Sequence, residues 1–291
     1  RQRQMCIRDR LSTVSMFCLV FGIQEAENFN WDWRVWALLF AGAATMVLFF
    51  SWQSRQGGSA LVPLALFQDR NFSLAGATIS TVGFAISTYI IPWMIYVQTV
   101  QGFTPTQAAL LVLPSGVVSG LLSPWVGKLT NTHDPKPFAI TGLTLAAASI
   151  GISALITTPA VDPRWMYSIA VVYGVANSLM WGPLSMIATR NLDPRLAGAG
   201  SSVYNTTRQI GGVIGSAAIA AMMSSQLAAK LGDGAGAGNM ASAGQATGPL
   251  PEALHEPFAL AMGNSIWLPC AVIAAGAVVA CFFARTKSWN D

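Results

Sequence analysis

Eight apolar runs follow one another along the chain, separated by mostly short polar connections: residues 11–23, 33–52, 72–97, 105–126, 138–158, 165–188, 200–224 and 258–284. A hydrocarbon core roughly 30 Å thick takes about 20 apolar residues of helix to cross. Inside it every backbone N–H and C=O must be bonded within the protein, which leaves helices or closed barrels. Runs this long and continuous are helical, so the fold class expected is an all-α integral membrane bundle. Charged residues make up 10% of the 291 and hydrophobic ones 53%, against about a quarter charged in soluble domains. The net charge of +4 is no nucleic-acid footprint, because four of the sixteen Lys/Arg fall in the first ten residues. The expected partner is membrane lipid, with no nucleic acid.

Those first ten residues, RQRQMCIRDR, break the pattern. A charge step before an apolar run also opens a signal peptide. MCIRDR, however, is the translation of ATG TGT ATA AGA GAC AG, which resembles a transposon end used in sequencing libraries. Residues 1–10 are therefore expected to be adaptor read-through rather than native protein. Residues 11–23 are then a clipped span, thirteen long where about 20 are needed. The chain is expected to be the C-terminal part of a longer protein.

Twelve Lys/Arg remain after residue 10, and their placement sets an orientation. Eight (Arg55, Arg70, Lys128, Lys136, Arg190, Arg195, Arg285 and Lys287) lie on alternate connections and the C-terminal tail; only Arg34, Arg164 and Lys230 lie on the other side. The first set, and the C-terminus with it, is expected to be cytoplasmic. Trp31, Trp33 and Trp36, with Trp165 and Tyr167, then form an aromatic belt at the outer interface. The Gly/Ala/Ser-rich stretch 225–257 has too little apolar material for a core and reads as a long flexible external loop.

None of the twelve Asp/Glu lies inside a run, and neither His133 nor His255 does. Embedded proteases and metalloenzymes need paired acids or histidines to hold a metal or activate water. No metal site and no catalytic residues are expected, and the four cysteines lack metal-ligand spacing.

One charge lies deep inside a span. Arg208, in SSVYNTTRQIGGVIGSA, lies about eight residues into its run, on the order of 12 Å at 1.5 Å per residue. A charge at that depth costs at least about 3 kcal/mol on insertion scales and usually turns toward a cavity or partner. Tyr204, Arg208, Gly211 and Gly215 share one helical stripe, with Asn205 beside it. Gly211 and Gly215 form a small-xxx-small pair that admits a close helix neighbour. The expectation is that Arg208 faces a central path; a tilted helix with Arg208 reaching the headgroups is the alternative. The run 105–126 carries Pro114, Gly116 and Gly120, read either as a helix that flexes or as ordinary enrichment of such residues in membrane helices. Tyr89 and Trp93 suit the wall of a cavity for large apolar or cationic ligands, although core packing explains most aromatics equally well. Asn177 is either a ligand contact or an interhelical hydrogen bond.

Four stretches together resemble the fourteen-spanner drug:proton antiporter family of the major facilitator superfamily, the EmrB/QacA-like group: PLALFQDRNF (63–72), YVQTVQGFTPTQAALLVLPSG (96–116), GKLTNTHDPKP (127–137) and WGPLSMIATRNLDPRLAGAGSSVYNTTRQIGGVIGSA (181–217). The resemblance implies a major facilitator-type helix bundle, with this chain as the last eight of fourteen membrane helices. Residues 11–52 would be two central linker spans, 53–71 a cytoplasmic connection, 72–284 the C-terminal six-helix half and 285–291 a cytoplasmic tail. It makes Gly127, Asn131 and Lys136 candidates for a cytoplasmic gating loop, with Asn131 standing where the family often has Asp and Asp134 departing from Gly. It implies efflux of a small amphipathic or cationic substrate from the bacterial plasma (inner) membrane by proton-coupled antiport. No cofactor is then needed beyond the proton gradient. The partners implied are the missing N-terminal six-helix half and a periplasmic adaptor protein, and the chain alone would be inactive. Export of an endogenous metabolite, siderophore or lipid fits the same residues, as does, in another class, a non-transporting eight-span scaffold or partner subunit.

Overall fold

The computed structural model describes residues 33–55, 64–231 and 251–284. The expected read-through 1–10, the clipped span 11–23, the middle of the long loop and the tail 285–291 lie outside the described residues. The chain divides into two compact units, before and after residue 63. In the first, α1 (Trp33–Arg55) is helical throughout the expected second span.

The second unit begins with a short 3₁₀ turn, Leu64–Gln68, followed by six long helices: α2 (Arg70–Thr99), α3 (Pro105–Thr132), α4 (Pro135–Leu155), α5 (Pro163–Thr189), α6 (Ala197–Leu231) and α7 (Glu252–Cys281). All six are long and apolar enough to cross a membrane. Their starts follow from local chemistry. Asp69 accepts from the Phe72 N–H at 2.7 Å, Asp134 from Lys136 at 3.1 Å and Asp162 from Arg164 at 2.9 Å. Thr104 and Gln107 form a reciprocal capping box at α3. Pro105, Pro135 and Pro163 occupy first helical positions, where a missing N–H costs nothing. Asp193 plays the same part for the 3₁₀ turn Pro194–Leu196 that leads into α6, accepting from Arg195 at 2.8 Å. The carboxylates of these connections are helix caps.

The long loop is shorter than its composition suggests, which corrects the expected bounds 225–257. α6 continues to Leu231, because Met223 and Leu227 keep an apolar spacing of four and are buried. α7 already starts at Glu252, since glutamate is a strong helix former whatever its hydropathy.

α2 is the hub, packed along α6 and α7 and touching α5; α4 packs on α5 and α7, and α3 on α5. Glycine sets the closest approaches. A Cβ at Gly83 would meet the Arg208 carbonyl oxygen and one at Gly211 the Ser80 carbonyl oxygen, so α2 and α6 meet backbone to backbone. Gly215 stands 2.8 Å, measured from a Cβ built on it, from the Phe84 carbonyl oxygen. A Cβ at Gly142 of α4 would lie 2.8 Å from the Met180 nitrogen of α5, and one at Gly174 of α5 2.6 Å from the Ser115 carbonyl oxygen of α3.

Two clasps hold the ends. The last carbonyls of α7 lack helical partners, and basic groups are favoured there. Arg70 donates to Phe282 at 3.2 Å, Lys136 Nζ to Phe283 at 2.8 Å and Asn71 to Ala284 at 3.2 Å. At the opposite end of α2, the Tyr96 hydroxyl donates to the Thr158 carbonyl at 2.5 Å, and Gln101 donates to both groups at 2.8 and 3.0 Å.

Candidate functional site

α2, α3 and α5 do not close on one another over their whole length. Between them lies a cavity of about 380 Å³. α5 lines it with Met166, Ala170, Tyr173, Asn177 and Trp181, a stripe at steps of four and three that puts all five on one helix face. From α2 come Ile86, Tyr89, Ile90 and Trp93; from α3 come Leu111, Val112 and Ser115. The wall is aromatic and ordered. Tyr89 stacks on Trp93 with ring centroids 6.0 Å apart and tilts against Tyr173 at 5.7 Å. The Tyr89 hydroxyl shares a 3.0 Å hydrogen bond with Ser153 of α4. That bond reaches outward from the cavity and locks the ring that forms its wall. At the far end of the α5 stripe, Trp181 Nε1 donates to Asn177 Oδ1 at 3.1 Å, so each of these two side chains orients the other.

Arg208 meets the site at Trp181. Its guanidinium carbon lies 5.5 Å from the centroid of that ring, a distance at which a cation is attracted by the π face. The side chain is half-buried and turned across to α5. Its backbone carbonyl is packed against Gly83 of α2. Among the described residues, neither Arg208 Nε nor the Tyr204 hydroxyl one turn earlier has a hydrogen-bond partner, and both atoms are buried.

Of the expected path residues, Tyr89, Trp93 and Asn177 share the cavity wall, and Arg208 touches it through Trp181. Asn205 does not join them: it is exposed and donates back to the Ser201 carbonyl at 3.0 Å. Tyr204, Gly211 and Gly215 are buried, the two glycines on α2. Pro114 lies inside α3 next to Ser115, whereas Cβ atoms at Gly116 and Gly120 would meet nothing within 4 Å, so no described helix uses them to approach. Gly127 is likewise open, Asn131 is exposed, and Lys136 is engaged with the end of α7. Asp134 has a local role as the cap of α4. Sequence reasoning missed Tyr173, Ser115 and Met166 as wall residues. The signal was the spacing of Tyr173, Asn177 and Trp181 on one face of α5.

The family model for the Major Facilitator Superfamily matches residues 11–216. The chain belongs to this superfamily. It is a multi-pass membrane protein of all-helical, major facilitator-type architecture. An uncharacterised MFS-type transporter of Mycobacterium tuberculosis is 39% identical over 275 residues, covering 94% of this chain and 47% of the relative. The multidrug resistance protein Stp of the same species is 27% identical, covering 76% and 41%. The tetracenomycin C resistance and export protein of Streptomyces glaucescens is 26% identical, covering 94% and 55%. The chain thus spans about half the length of the curated relatives it matches.

Proposed function

We propose that this superfamily member is the last eight of the fourteen membrane helices of an EmrB/QacA-like exporter, which moves small organic molecules across the bacterial plasma membrane by alternating access, driven by the proton gradient. The observation that carries the reading is the aromatic cavity between α2, α3 and α5, with Arg208 held at one end. Large flat side chains in a concave wall with a few convergent polar groups are what small-molecule sites are built from. Midplane sites of transporters form where two halves of a bundle face each other; this unit supplies one such wall. Relatives named for drug resistance or export support the direction of transport. The proton-carrying acid is assigned to the longer protein, because among the described carboxylates Asp69, Asp134, Asp162 and Asp193 cap helical turns and Glu252 and Glu256 are exposed in the first turns of α7. The basic side of the bundle, with the C-terminus, is cytoplasmic by its Lys/Arg excess.

The test is dye efflux from cells making the complete protein, over a panel of amphipathic dyes. Efflux should stop when an ionophore collapses the proton gradient. Arg208→Ala should lower it severalfold at unchanged membrane abundance, because the charge beside Trp181 at the cavity is lost. Full efflux by Arg208→Ala at normal abundance would refute the role given to this residue. No dye movement at all would leave a non-transporting membrane subunit.

A further inference from the structure

Trp181 stands where two contacts meet. Its Nε1–H donates to Asn177 Oδ1, one turn earlier in α5, at 3.1 Å. Its ring centroid lies 5.5 Å from the guanidinium carbon of Arg208 on α6. The first contact is within one helix, so it travels with α5. The second crosses between two helices that meet far less extensively than α2 and α6 do.

Packing alone does not hold this ring. Trp181 is half-buried and borders the cavity, and a Cβ on the neighbouring Gly182 would meet nothing within 4 Å. The χ2 torsion of tryptophan is broad, so a ring beside open space turns unless its edge is tied. Indole offers a single polar hydrogen and no acceptor, and here Asn177 takes that hydrogen. The tether sets the plane of the ring, and a cation is attracted only where it stands over the π face. Arg208 Nε is buried with no hydrogen-bond partner among the described residues, so no bond at that atom fixes the side chain independently of the ring.

We propose that Asn177 is a positioning residue for export: it aims Trp181, the ring seats the Arg208 charge, and Asn177 acts on transport through Arg208 rather than by touching the ligand. The efflux arm of the test rests on the export reading, and the spectroscopic arm stands without it.

Leucine has nearly the shape of asparagine without its amide, so Asn177→Leu removes the tether and little else. The complete protein is labelled with fluorotryptophan, and the fluorine resonance of Trp181 is identified by its disappearance in Trp181→Phe. Arg208→Gln should shift that resonance while Asn177 is in place, and should shift it by less than half as much in Asn177→Leu. A resonance blind to Arg208, or equally responsive with and without Asn177, overturns the proposal. In efflux of ethidium and acriflavine, Asn177→Leu should cost about two- to tenfold, the worth of one hydrogen bond. It should cost nothing further in an Arg208→Gln background, because residues that act through one another are not additive. Trp181→Phe cuts the same bond from its other end and keeps a ring face. Its loss should match that of Asn177→Leu, and combining the two should add nothing. Losses that multiply would make Asn177 a separate ligand contact and overturn the proposal. If the wild-type protein moves no dye, the export reading falls, and the fluorine resonance still decides the role of Asn177.

Discussion

α2 has two faces that are built on opposite principles. Toward α6 and α7 it presents Ser80, Thr81, Gly83 and the backbone of Phe84, and meets Gly211, Gly215 and Gly276 at distances only glycine permits. Toward α3 and α5 it presents Ile86, Tyr89, Ile90 and Trp93, and the helices stand off around a cavity. Without a hydrophobic driving force between helices in lipid, close van der Waals contact between small residues is what holds such bundles together. The first face therefore provides cohesion and the second provides space. Arg208 belongs to both, its carbonyl packed against Gly83 and its guanidinium at the cavity.

The largest expected effect breaks the first face. In Gly83→Val the new side chain meets the Arg208 backbone, which cannot yield as a flexible side chain would. Overpacking a well-packed core costs on the order of 1–3 kcal/mol, and a clash with backbone belongs at the upper end. Folded protein should fall several-fold by fluorescence-detected size exclusion, with Gly83→Ala intermediate. Wild-type levels of Gly83→Val would mean that α2 and α6 do not meet in this way.

A smaller effect sharpens the second face. Tyr89→Phe removes the hydroxyl that ties the ring to Ser153 of α4 and keeps the ring. Losing one hydrogen bond costs about 0.5–1.5 kcal/mol, so thermal stability should fall slightly. Binding of aromatic probes should weaken by more than the stability loss accounts for, because the wall ring is no longer fixed. Unchanged binding would show that the ring position is set by Trp93 and Tyr173 alone.

How much of this was legible in the residues differs between the two faces. Helices were readable from the length of the apolar runs, and Arg208 from being the one charge deep inside a run. The glycines at 211 and 215 were readable from their spacing of four. Gly83, Gly142, Gly174 and Gly276 were not, because a close approach depends on what stands on another helix, and one sequence does not pair helices. The cavity wall on α5 was present as a spacing at 173, 177 and 181, but in a helix apolar all round no periodicity separates one face from another. Asn205 was grouped with Arg208 by proximity, yet three residues along a helix is about 60° round it, enough to turn it outward to Ser201. The ends of α6 and α7 were blurred because Gly, Ser and Glu lower hydropathy without stopping a helix.

The smallest effect concerns α3, which is the least enclosed of the six. Gly116 and Gly120 line up at a spacing of four as Gly211 and Gly215 do, but their surroundings differ, since a Cβ at either meets nothing within 4 Å. Spacing alone does not make a packing motif; a neighbour does. With nothing to clash, Gly120→Ala should be neutral to stabilising by up to about 1 kcal/mol, the helix propensity gained. If these glycines serve bending of the helix beside Pro114, the same change should slow dye efflux while folded protein stays level or rises. If they are covered in the longer protein by another helix, stability should fall instead, as expected for Gly83. Measuring abundance and efflux rate together on Gly120→Ala separates the two, and unchanged values of both would leave α3 with neither role at this position.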